Sequence, residues 1–347
     1  MLCKAASRNS LVSSDSLLER CIAHIGLKSA GATTIQRAFH GFDHGGVAYL
    51  PNPSKDHTSL VRTAVKSKTP DERGVLHQAI ERSDRELILS GDELISVLTP
   101  SEVGRFHRAV TRRFRRLSVV AYVPDPSSSM ARDFEYRVRR GDAELSYDDV
   151  FPSYTELFEK WVGELGKDEV QAVPFSRSAF VGGDIVEDFA SRAGANINAL
   201  KDQRRSLGPS LTAEALSLLF AHRRARGNPK QHPALADANP RVLRYLAKVG
   251  SNRFLLDPGR CEAVISRRKD EVAYVEDLMS ARLPDPPAPT RGSVVFVDDE
   301  NILAYAKSVE SAFVERVRRD YQVQGDGPSS GLAAMDLLYQ SAPPRVD

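Results

Sequence analysis

The sequence predicts an α/β protein with a central, mostly parallel sheet, and three observations predict it. The first is an apolar run from Cys21 to Ile25 that enters a loop of small residues and then an amphipathic helix. The second is the β-branched run from Leu117 to Val123, which is followed by two prolines and is typical of a buried strand. The third is the alternation of such strands with helical segments, which is the pattern of parallel βαβ units.

The other elements of the chain follow the same alternation. In chain order, the predicted elements after the first strand are a helix over 33–42, a turn with a short extended segment over 42–51, a helix over 56–66 and a strand over 86–90. They are followed by a helix over 100–116, a strand over 117–123, a helix over 126–140, a strand over 169–175 and a helix that opens with the run 182–189. From about residue 211 the chain is predicted to be mostly helical, with loops at 227–229 and 283–289.

The predicted domain organisation is simple. Residues 1–20 are an N-terminal extension, and residues 21–322 form a single domain whose helical part covers about 211–322. Residues 323–347 are rich in Gly, Ser and Pro and are predicted to be a flexible tail.

The composition is that of an ordinary soluble protein. The 347 residues are 41% hydrophobic and 27% charged, and the net charge of +2 gives no general attraction to nucleic acid or to a membrane surface. No apolar run reaches the length of a membrane span, and three scattered cysteines do not make a disulfide framework or a zinc site. These features predict a cytoplasmic protein that neither binds nucleic acid nor inserts into a membrane.

The loop after the first strand is a candidate anion site. Backbone N–H groups at a helix N-terminus attract phosphate or sulfate, and small residues allow such a group to approach the main chain. Gly26 to Thr33 fits the nucleotide-binding pattern G-x-x-x-x-G-K-[ST] except that Ala32 replaces the lysine. An alternative remains open, in which Gly31 only allows the strand and the helix to pack closely, with Thr33 as helix cap.

Several motifs in chain order resemble those of one family, the bacterial sulfotransferases that use 3′-phosphoadenosine 5′-phosphosulfate (PAPS). The segment from His24 to Gln36 is similar to the family's H-I-G-x-P-K-T-G-T-T-x-x-Q loop, which holds the donor's 5′-phosphosulfate. The further matches are Gly46 to Tyr49 with Pro51 and His57, Leu89 to Asp92, Tyr122 and Val123 with the helix after them, Gly182 to Phe189, and Asn198 with Ser210 to Leu219.

This resemblance spans roughly residues 20–320, and it implies a fold as well as a ligand. The expected fold is a three-layer α/β sandwich related to the P-loop nucleotide kinases. The expected co-substrate is PAPS, held at its phosphosulfate end by Gly26, Lys28, Ser29, Gly31, Thr33 and Thr34.

The donor motifs depart from the family pattern at two places. Ser29 stands where the family has its catalytic lysine, and Ala30 and Ala32 replace two threonines, so that Lys28 is the nearest cation. After the strand that ends at Val123, Pro124 and Arg132 replace the arginine and the serine that hold the donor's 3′-phosphate in the family. Arg132, helped by Ser128 at the start of the helix, is the candidate replacement for that pair.

Sulfuryl transfer also needs a general base near the acceptor hydroxyl. His57 matches a family histidine and is the first candidate, followed by Asp92 and Glu93 at the end of a predicted strand. Lys28 is the candidate group for stabilising the leaving oxygen. No metal site and no nucleophile elbow are indicated.

Two functions therefore remain open. The first is transfer of a sulfuryl group from PAPS to a hydroxyl of a carbohydrate or another small acceptor. The second is a non-catalytic sulfotransferase relative, a binding or scaffold protein that has lost the donor, which the replacements at Ser29 and Pro124 favour. A nucleotide kinase is disfavoured by Ala32.

Overall fold

A computed structural model describes residues 17–27, 30–67, 70–200, 210–231, 233–323, 325 and 327–341. It has an α/β fold with a mostly parallel six-stranded sheet and, among the described residues, fourteen α-helices. The chain forms two compact units, which are described one after the other. The first unit takes in the described residues of 1–123, 154–205 and 275–282, and the second takes in those of 124–153, 206–274 and 283–347.

The first unit contains the six-stranded sheet. Its strands are β1 (Leu18–Ile25), β2 (Asp43–His44), β3 (Val47–Tyr49), β4 (Glu86–Gly91), β5 (Phe114–Val123) and β6 (Val170–Pro174). Their order across the sheet is β2-β3-β4-β1-β5-β6, and only the short β2 is antiparallel to its neighbour. The central strand β1 is flanked by β4 and β5, and the carboxyl-terminal halves of all three are buried.

The helices of the first unit are α1 (Ala32–Phe39), α2 (Thr58–Lys66), α3 (Pro70–Glu81), α4 (Leu94–Val97), α5 (Pro100–Val110), α7 (Tyr154–Leu165) and α8 (Ile185–Ala193). Here α1 packs against α8, whereas α2, α3 and α7 pack against α5. Crossovers between parallel strands are right-handed, so the connection from β1 toward β3 and the connection from β4 to β5 lie on opposite faces of the sheet. Neighbouring connections thus diverge at the carboxyl end of β1, which is where open α/β sheets bind ligands.

The second unit is mainly helical. Its elements are α6 (Pro126–Arg140), α9 (Ala213–Arg226), α10 (Pro233–Leu246), α11 (Pro258–Arg267), α13 (Asp299–Asp320), α14 (Gly331–Gln340), and a small parallel sheet of β7 (Arg253–Leu256) and β8 (Ser293–Phe296). Helix α12 (Lys269–Met279) is shared by the two units. Strands β7 and β8 do not follow from the sequence pattern, because a four-residue apolar run is ambiguous until its partner strand is known.

Two predicted elements need correction. The helix predicted over 100–116 ends at Val110, and β5 already begins at Phe114, whose buried side chain lies in register with Leu18 of β1. Part of the predicted flexible tail is the helix α14, which buries Ala334, Met335 and Leu338. Both errors have the same cause: the apolar face of a short segment is recognised only when the surface that covers it is known.

Candidate functional site

The loop between β1 and α1 begins with a close approach of two main chains. The N–H of Gly26 donates to the carbonyl of Gly91 at 2.9 Å, which joins the ends of β1 and β4. A Cβ on Gly26 would lie 3.0 Å from the carbonyl oxygen of Asp92 and 3.1 Å from the Cβ of Ala32. Gly26 therefore allows the turn after β4 to lie against the loop that leads to α1.

The second glycine of the loop sets the direction of α1. Gly31 is the N-cap residue and has φ +78° and ψ 5°, a left-handed conformation that favours glycine. Its carbonyl accepts from the N–H of Thr34 at 2.9 Å and from the N–H of Ile35 at 3.1 Å, which starts the helix. A Cβ at this position would lie 2.2 Å from Cδ1 of Ile185, the first residue of α8.

The start of α1 has the electrostatic character of an anion site. The first turn of the helix carries no acidic residue, and no side chain caps it among the described residues. Thr33 and Thr34 lie in this turn and are half-buried. Because the N-terminal N–H groups carry a partial positive charge and no carboxylate of this turn offsets it, the position favours a bound anion.

Two residues of the predicted phosphosulfate loop, Lys28 and Ser29, lie outside the described residues. Their assignment to the donor site stays a prediction. The other residues predicted to hold the phosphosulfate end of the donor are Gly26, Gly31, Thr33 and Thr34, and the structure brings them together in this half of the predicted donor site.

The carboxylates after β4 belong to a turn that Asp56 organises. The Oδ1 atom of Asp56 accepts from the N–H of Thr58 at 2.8 Å, from its hydroxyl at 2.7 Å and from the N–H of Asp92 at 3.4 Å. The N–H of Glu93 in turn approaches the hydroxyl of Thr58 at 3.5 Å. Asp92 and Glu93 are half-buried, and the main chain of Asp92 contacts Gly26. Of the predicted bases, Asp92 therefore lies beside the loop.

The geometry of His57 gives it a structural role. The N–H of Ser90 donates to its Nδ1 at 3.0 Å, and its Nε2–H donates to the carbonyl of Leu50 at 3.0 Å. The residue is fully buried, and burial lowers its pKa to about 4 against the smaller opposing effect of the Leu50 hydrogen bond. A neutral imidazole whose two nitrogens are both engaged by the main chain has no lone pair left to accept a proton from a substrate.

A second buried histidine, His24, lies on β1 two residues before the loop. Its Nδ1 lies 2.9 Å from the hydroxyl of Ser90 on β4, and its Nε2 has no partner among the described residues. Burial lowers its pKa to about 3, and its ring packs against the rings of Tyr122 and Phe189. His24 is therefore a neutral core residue beneath the candidate site.

The later motif from Gly182 to Phe189 has a structural explanation as well. The buried Asp188 accepts from the hydroxyl of Tyr122 at 2.7 Å, from the N–H of Val181 at 3.1 Å and from Arg192 at 2.7 Å. Burial alone would raise the pKa of Asp188, but the hydrogen bonds from Arg192 and Tyr122 outweigh it and lower the pKa. This network fastens α8 to β5 and so holds Ile185 against Gly31.

The predicted 3′-phosphate half-site lies on α6, in the second unit, and its helix start is already occupied. Asp125 is the N-cap residue, and its Oδ1 accepts from the N–H of Ser128 at 2.8 Å. This carboxyl group is buried, and desolvation raises its pKa. A carboxylate at this position takes the place that an external anion would occupy, so the main chain at Ser128 is not open to a phosphate.

The charge of Arg132 is also engaged. Its Nη1 donates to Oε2 of Glu135 at 2.9 Å, and the Glu135 carboxylate is 4% exposed. The same carboxylate accepts from the N–H of Leu211 at 2.9 Å and from Arg139 at 3.3 Å. Glu135 therefore anchors the start of α9, and Arg132 balances part of its charge.

Three residues that shape these half-sites were not identified from the sequence as site residues: Asp56, Glu135 and Ile185. Asp56 precedes Thr58 in the Asp-x-Thr spacing of an Asx turn, which is a local signal. Glu135 is three residues after Arg132, the spacing of a helical ion pair. No local signal identifies Ile185, because its contact with Gly31 depends on the packing of two distant helices.

Comparison of the chain with protein-family models, with curated proteins and with solved structures gave no match. In the described part of the chain, no helix combines the length and the apolar character that a membrane span needs. The same residues contain no group of three or more His, Cys, Asp or Glu side chains that could hold a metal ion. The chemistry of the site is therefore argued from its own residues.

Proposed function

We propose that this protein is a sulfotransferase-like protein that binds the phosphosulfate end of PAPS at the N-terminus of α1 and transfers the sulfuryl group to a hydroxyl. The observation that supports the proposal best is the start of α1, which has a left-handed glycine, no acidic residue in the first turn, and a position at the carboxyl end of the central strand. The proposed fold is the P-loop-like sulfotransferase sandwich. The mostly parallel sheet with β1 at its centre supports it.

The proposed transfer uses few groups of the chain. The acceptor oxygen attacks the sulfur while the bond between sulfur and the bridging phosphosulfate oxygen breaks, and the bonding pair leaves with that oxygen as 3′-phosphoadenosine 5′-phosphate. The N–H groups of α1, with Lys28 as the proposed cation, stabilise the charge on the leaving oxygen. Asp92 or Glu93 accepts the acceptor's proton, because both nitrogens of His57 are engaged by the main chain.

The 3′-phosphate contributes little in this proposal. Arg132 is paired with Glu135, and Asp125 caps α6. A phosphate beside these groups would have to displace one carboxylate and approach another, which costs electrostatic energy. We therefore expect recognition of the donor to rest on its 5′ end.

A second function, binding of an anionic nucleotide without turnover, is favoured by the engagement of His57. If neither Asp92 nor Glu93 serves as base, the site holds a donor-like ligand but has no group to accept the acceptor's proton. The acceptor in the first proposal is a carbohydrate or another small hydroxyl compound.

Calorimetric titration of the full chain with 3′-phosphoadenosine 5′-phosphate tests the proposal first. We expect a dissociation constant in the micromolar range, roughly −7 to −8 kcal/mol. Lys28→Ala should weaken binding at least about tenfold, since it removes the proposed charge-assisted contact to the 5′-phosphate. Lys66→Ala, which removes an exposed lysine at the C-terminal end of α2 in the same unit, is the matched control and should leave the affinity unchanged. Absence of binding at millimolar nucleotide would reject both functions.

The same titration separates the two ends of the donor. Adenosine 5′-monophosphate, which lacks the 3′-phosphate, should bind within about threefold of the bisphosphate, a difference below roughly 1 kcal/mol. Arg132→Ala should behave like Arg137→Ala, a control on the same helix whose side chain is paired with Asp133. If Arg132→Ala lowers the affinity for the bisphosphate more than about tenfold and Arg137→Ala does not, Arg132 binds the 3′-phosphate after all.

Turnover then decides between transfer and binding. Release of 3′-phosphoadenosine 5′-phosphate from PAPS is measured with a panel of small alcohols and sugars. Transfer predicts acceptor-dependent release that falls about 10²-fold or more in Asp92→Asn or in Glu93→Gln. Nucleotide binding without release for any acceptor supports the binding function.

A further inference from the structure

The segment between α12 and β8 is rich in proline and lies at the surface. Its sequence from residue 283 to residue 291 is L-P-D-P-P-A-P-T-R. No helix or strand forms between residues 280 and 292, and every residue from 285 to 291 is exposed. This is the loop that the sequence predicts over 283–289, and its side chains are accessible to another molecule.

The prolines restrict the backbone of this segment to extended, polyproline II (PPII) geometry. Proline fixes its own φ at about −65°, and it disfavours the helical region for the residue that precedes it. From Leu283 to Pro289, every residue is a proline, precedes a proline, or both. The segment is therefore preorganised, and it loses little conformational entropy when a partner binds it.

The segment ends in a turn that exposes an arginine. The N–H of Ser293 donates to the carbonyl of Thr290 at 2.9 Å, and Gly292 has φ +94°. This is the pattern of a type II turn with Arg291 at its first central position, where the backbone is still extended. The hydroxyl of Ser293 also accepts from the N–H of Thr290 at 3.1 Å. The turn therefore fixes the end of the segment and places Arg291 directly after the prolines.

The polar groups of the segment are not engaged elsewhere in the described part of the chain. Residues 284–289 make no hydrogen bond there, so their exposed carbonyl oxygens can accept from a partner. The exposed guanidinium of Arg291 has neither an ion pair nor a hydrogen bond to the described residues. Asp285 lies about 19 Å from Arg291 along a PPII helix, which is beyond the screening length in physiological salt. The segment thus offers proline rings, carbonyl acceptors and one positive charge.

We propose that residues 286–291 are a docking segment for a partner protein with an aromatic-lined groove for PPII helices and a carboxylate at one end of that groove. Pro286 and Pro289 are three residues apart, which is one turn of a PPII helix, so their rings lie on the same edge and fit neighbouring clefts between aromatic rings. Arg291 follows two residues later and pairs with the carboxylate. Tyrosine and tryptophan side chains of such a groove donate to the carbonyl oxygens. The docking segment is independent of the function proposed for the first unit.

The probe for the test is an isotope-labelled SH3 domain that has acidic side chains beside its aromatic groove. It is titrated with the full chain and followed by NMR. We expect the resonances of the groove to shift, with a dissociation constant below about 1 mM. Pro286→Ala and Pro289→Ala should each weaken binding at least about fivefold, because each removes one ring and loosens the preorganised backbone. Pro258→Ala, at the exposed start of α11, is the matched control and should leave the affinity unchanged.

A second comparison tests the contribution of the charge. Arg291→Ala should weaken binding about two- to fivefold, as expected for an exposed ion pair, and should remove most of the dependence of the affinity on salt. Arg268→Ala, which removes an exposed arginine directly after α11, is the control and should change neither property. The proposal is overturned if the SH3 domain does not bind at millimolar concentration, if the shifted resonances lie outside its groove, if the two proline variants of the segment bind as tightly as the unchanged chain, or if Arg291→Ala behaves like Arg268→Ala.

Discussion

The N-termini of α1 and α6 follow two neighbouring strands of the same sheet, yet they differ in what occupies them. The start of α1 has a left-handed glycine, no acidic residue in its first turn and no side-chain cap. The start of α6 is capped by the buried carboxyl group of Asp125 and begins with a proline. No side chain caps the first among the described residues, whereas the second uses a carboxylate of the chain itself.

The difference indicates that a helix N-terminus after a sheet strand is open to an external anion only where no side chain of the chain already caps it. Arg132 illustrates the same point. It stands where the sulfotransferase motif has a residue that holds the 3′-phosphate, but its guanidinium pairs with Glu135. Binding at α6 would therefore require an existing ion pair to be exchanged for a new one. The binding that we propose at α1 involves no side-chain cap of this kind.

The largest expected effect comes from changing the shape of the α1 start. Gly31→Ala combines a left-handed conformation, which costs roughly 1–2 kcal/mol, with a clash against Ile185 that costs about 1–3 kcal/mol. The free energy of unfolding, measured with denaturant, should fall by roughly 2–5 kcal/mol. Gly41→Ala is the matched control, because Gly41 has the same φ of 78° but has no atom within 4 Å of an added Cβ.

The energetic cost of the clash with Ile185 can be separated from the cost of the left-handed conformation. Gly41→Ala should cost only the conformational part, about 1–2 kcal/mol. Adding Ile185→Ala to Gly31→Ala should recover part of the loss relative to the sum of the two single changes. Equal losses in Gly31→Ala and Gly41→Ala would show that α8 does not restrain the loop.

The next largest effect is expected from acidification, which should lower the free energy of unfolding through His24 and His57, the two buried histidines near the α1 loop. His24 and His57 are buried and neutral, with pKa values lowered to about 3 and about 4, so the unfolded chain takes up protons first as the pH falls. Stability is fully present above the unfolded pKa of about 6.5 and is lost as the pH falls toward the folded values, by about 1.4 kcal/mol per pH unit for each histidine. Denaturant unfolding at pH 7, 6 and 5 measures this slope.

A substitution shows which histidine causes the change of unfolding free energy with pH. His57→Gln removes one titrating group and should reduce the slope by about 1.4 kcal/mol per pH unit, even though it lowers stability at pH 7. An unfolding free energy that stays constant between pH 7 and 5 would contradict the buried neutral state of both histidines.

The smallest effect is expected at the α6 cap. Asp125→Ala should lower the free energy of unfolding by about 1 kcal/mol, because the N–H of Ser128 loses its acceptor. Asp125→Ser, which keeps an oxygen cap without the charge, should recover most of that loss. If Asp125→Ala is as stable as the unchanged chain, the carboxyl group does not act as the cap, and the contrast between the two helix starts disappears.

Local patterns predicted much of the first unit and helix α6 of the second. The alternation of apolar strands with helices indicated the mostly parallel sheet, and the helix predicted over 126–140 has the same bounds as α6, because Pro126 and Gly141 are local signals for its two ends. The glycines of the β1–α1 loop were identified for the same reason. Such signals are readable because propensity, capping and turn conformation depend on neighbours in sequence.

The roles of the candidate side chains could not be predicted in the same way. His57 matched a motif, but the two hydrogen bonds of its ring go to Leu50, which directly follows β3, and to Ser90 on β4. The motif around Asp188 was seen as a resemblance, and its role in fastening α8 to β5 depends on Tyr122. A residue type reveals which hydrogen bonds are possible, but not which of them the fold already uses.

The sequence by itself determined the α/β class, the position of the central strands and the two glycines that shape the loop, because these follow from patterns within a few residues. The tertiary structure alone decided that Ile185 covers Gly31, that Glu135 engages Arg132 beside the α9 segment, that α14 is packed rather than free, and that the chain divides into two units. All of these depend on contacts between residues far apart in sequence or on how buried charges are balanced. Burial and the choice of hydrogen-bond partner are set by the whole fold, and no local pattern encodes them.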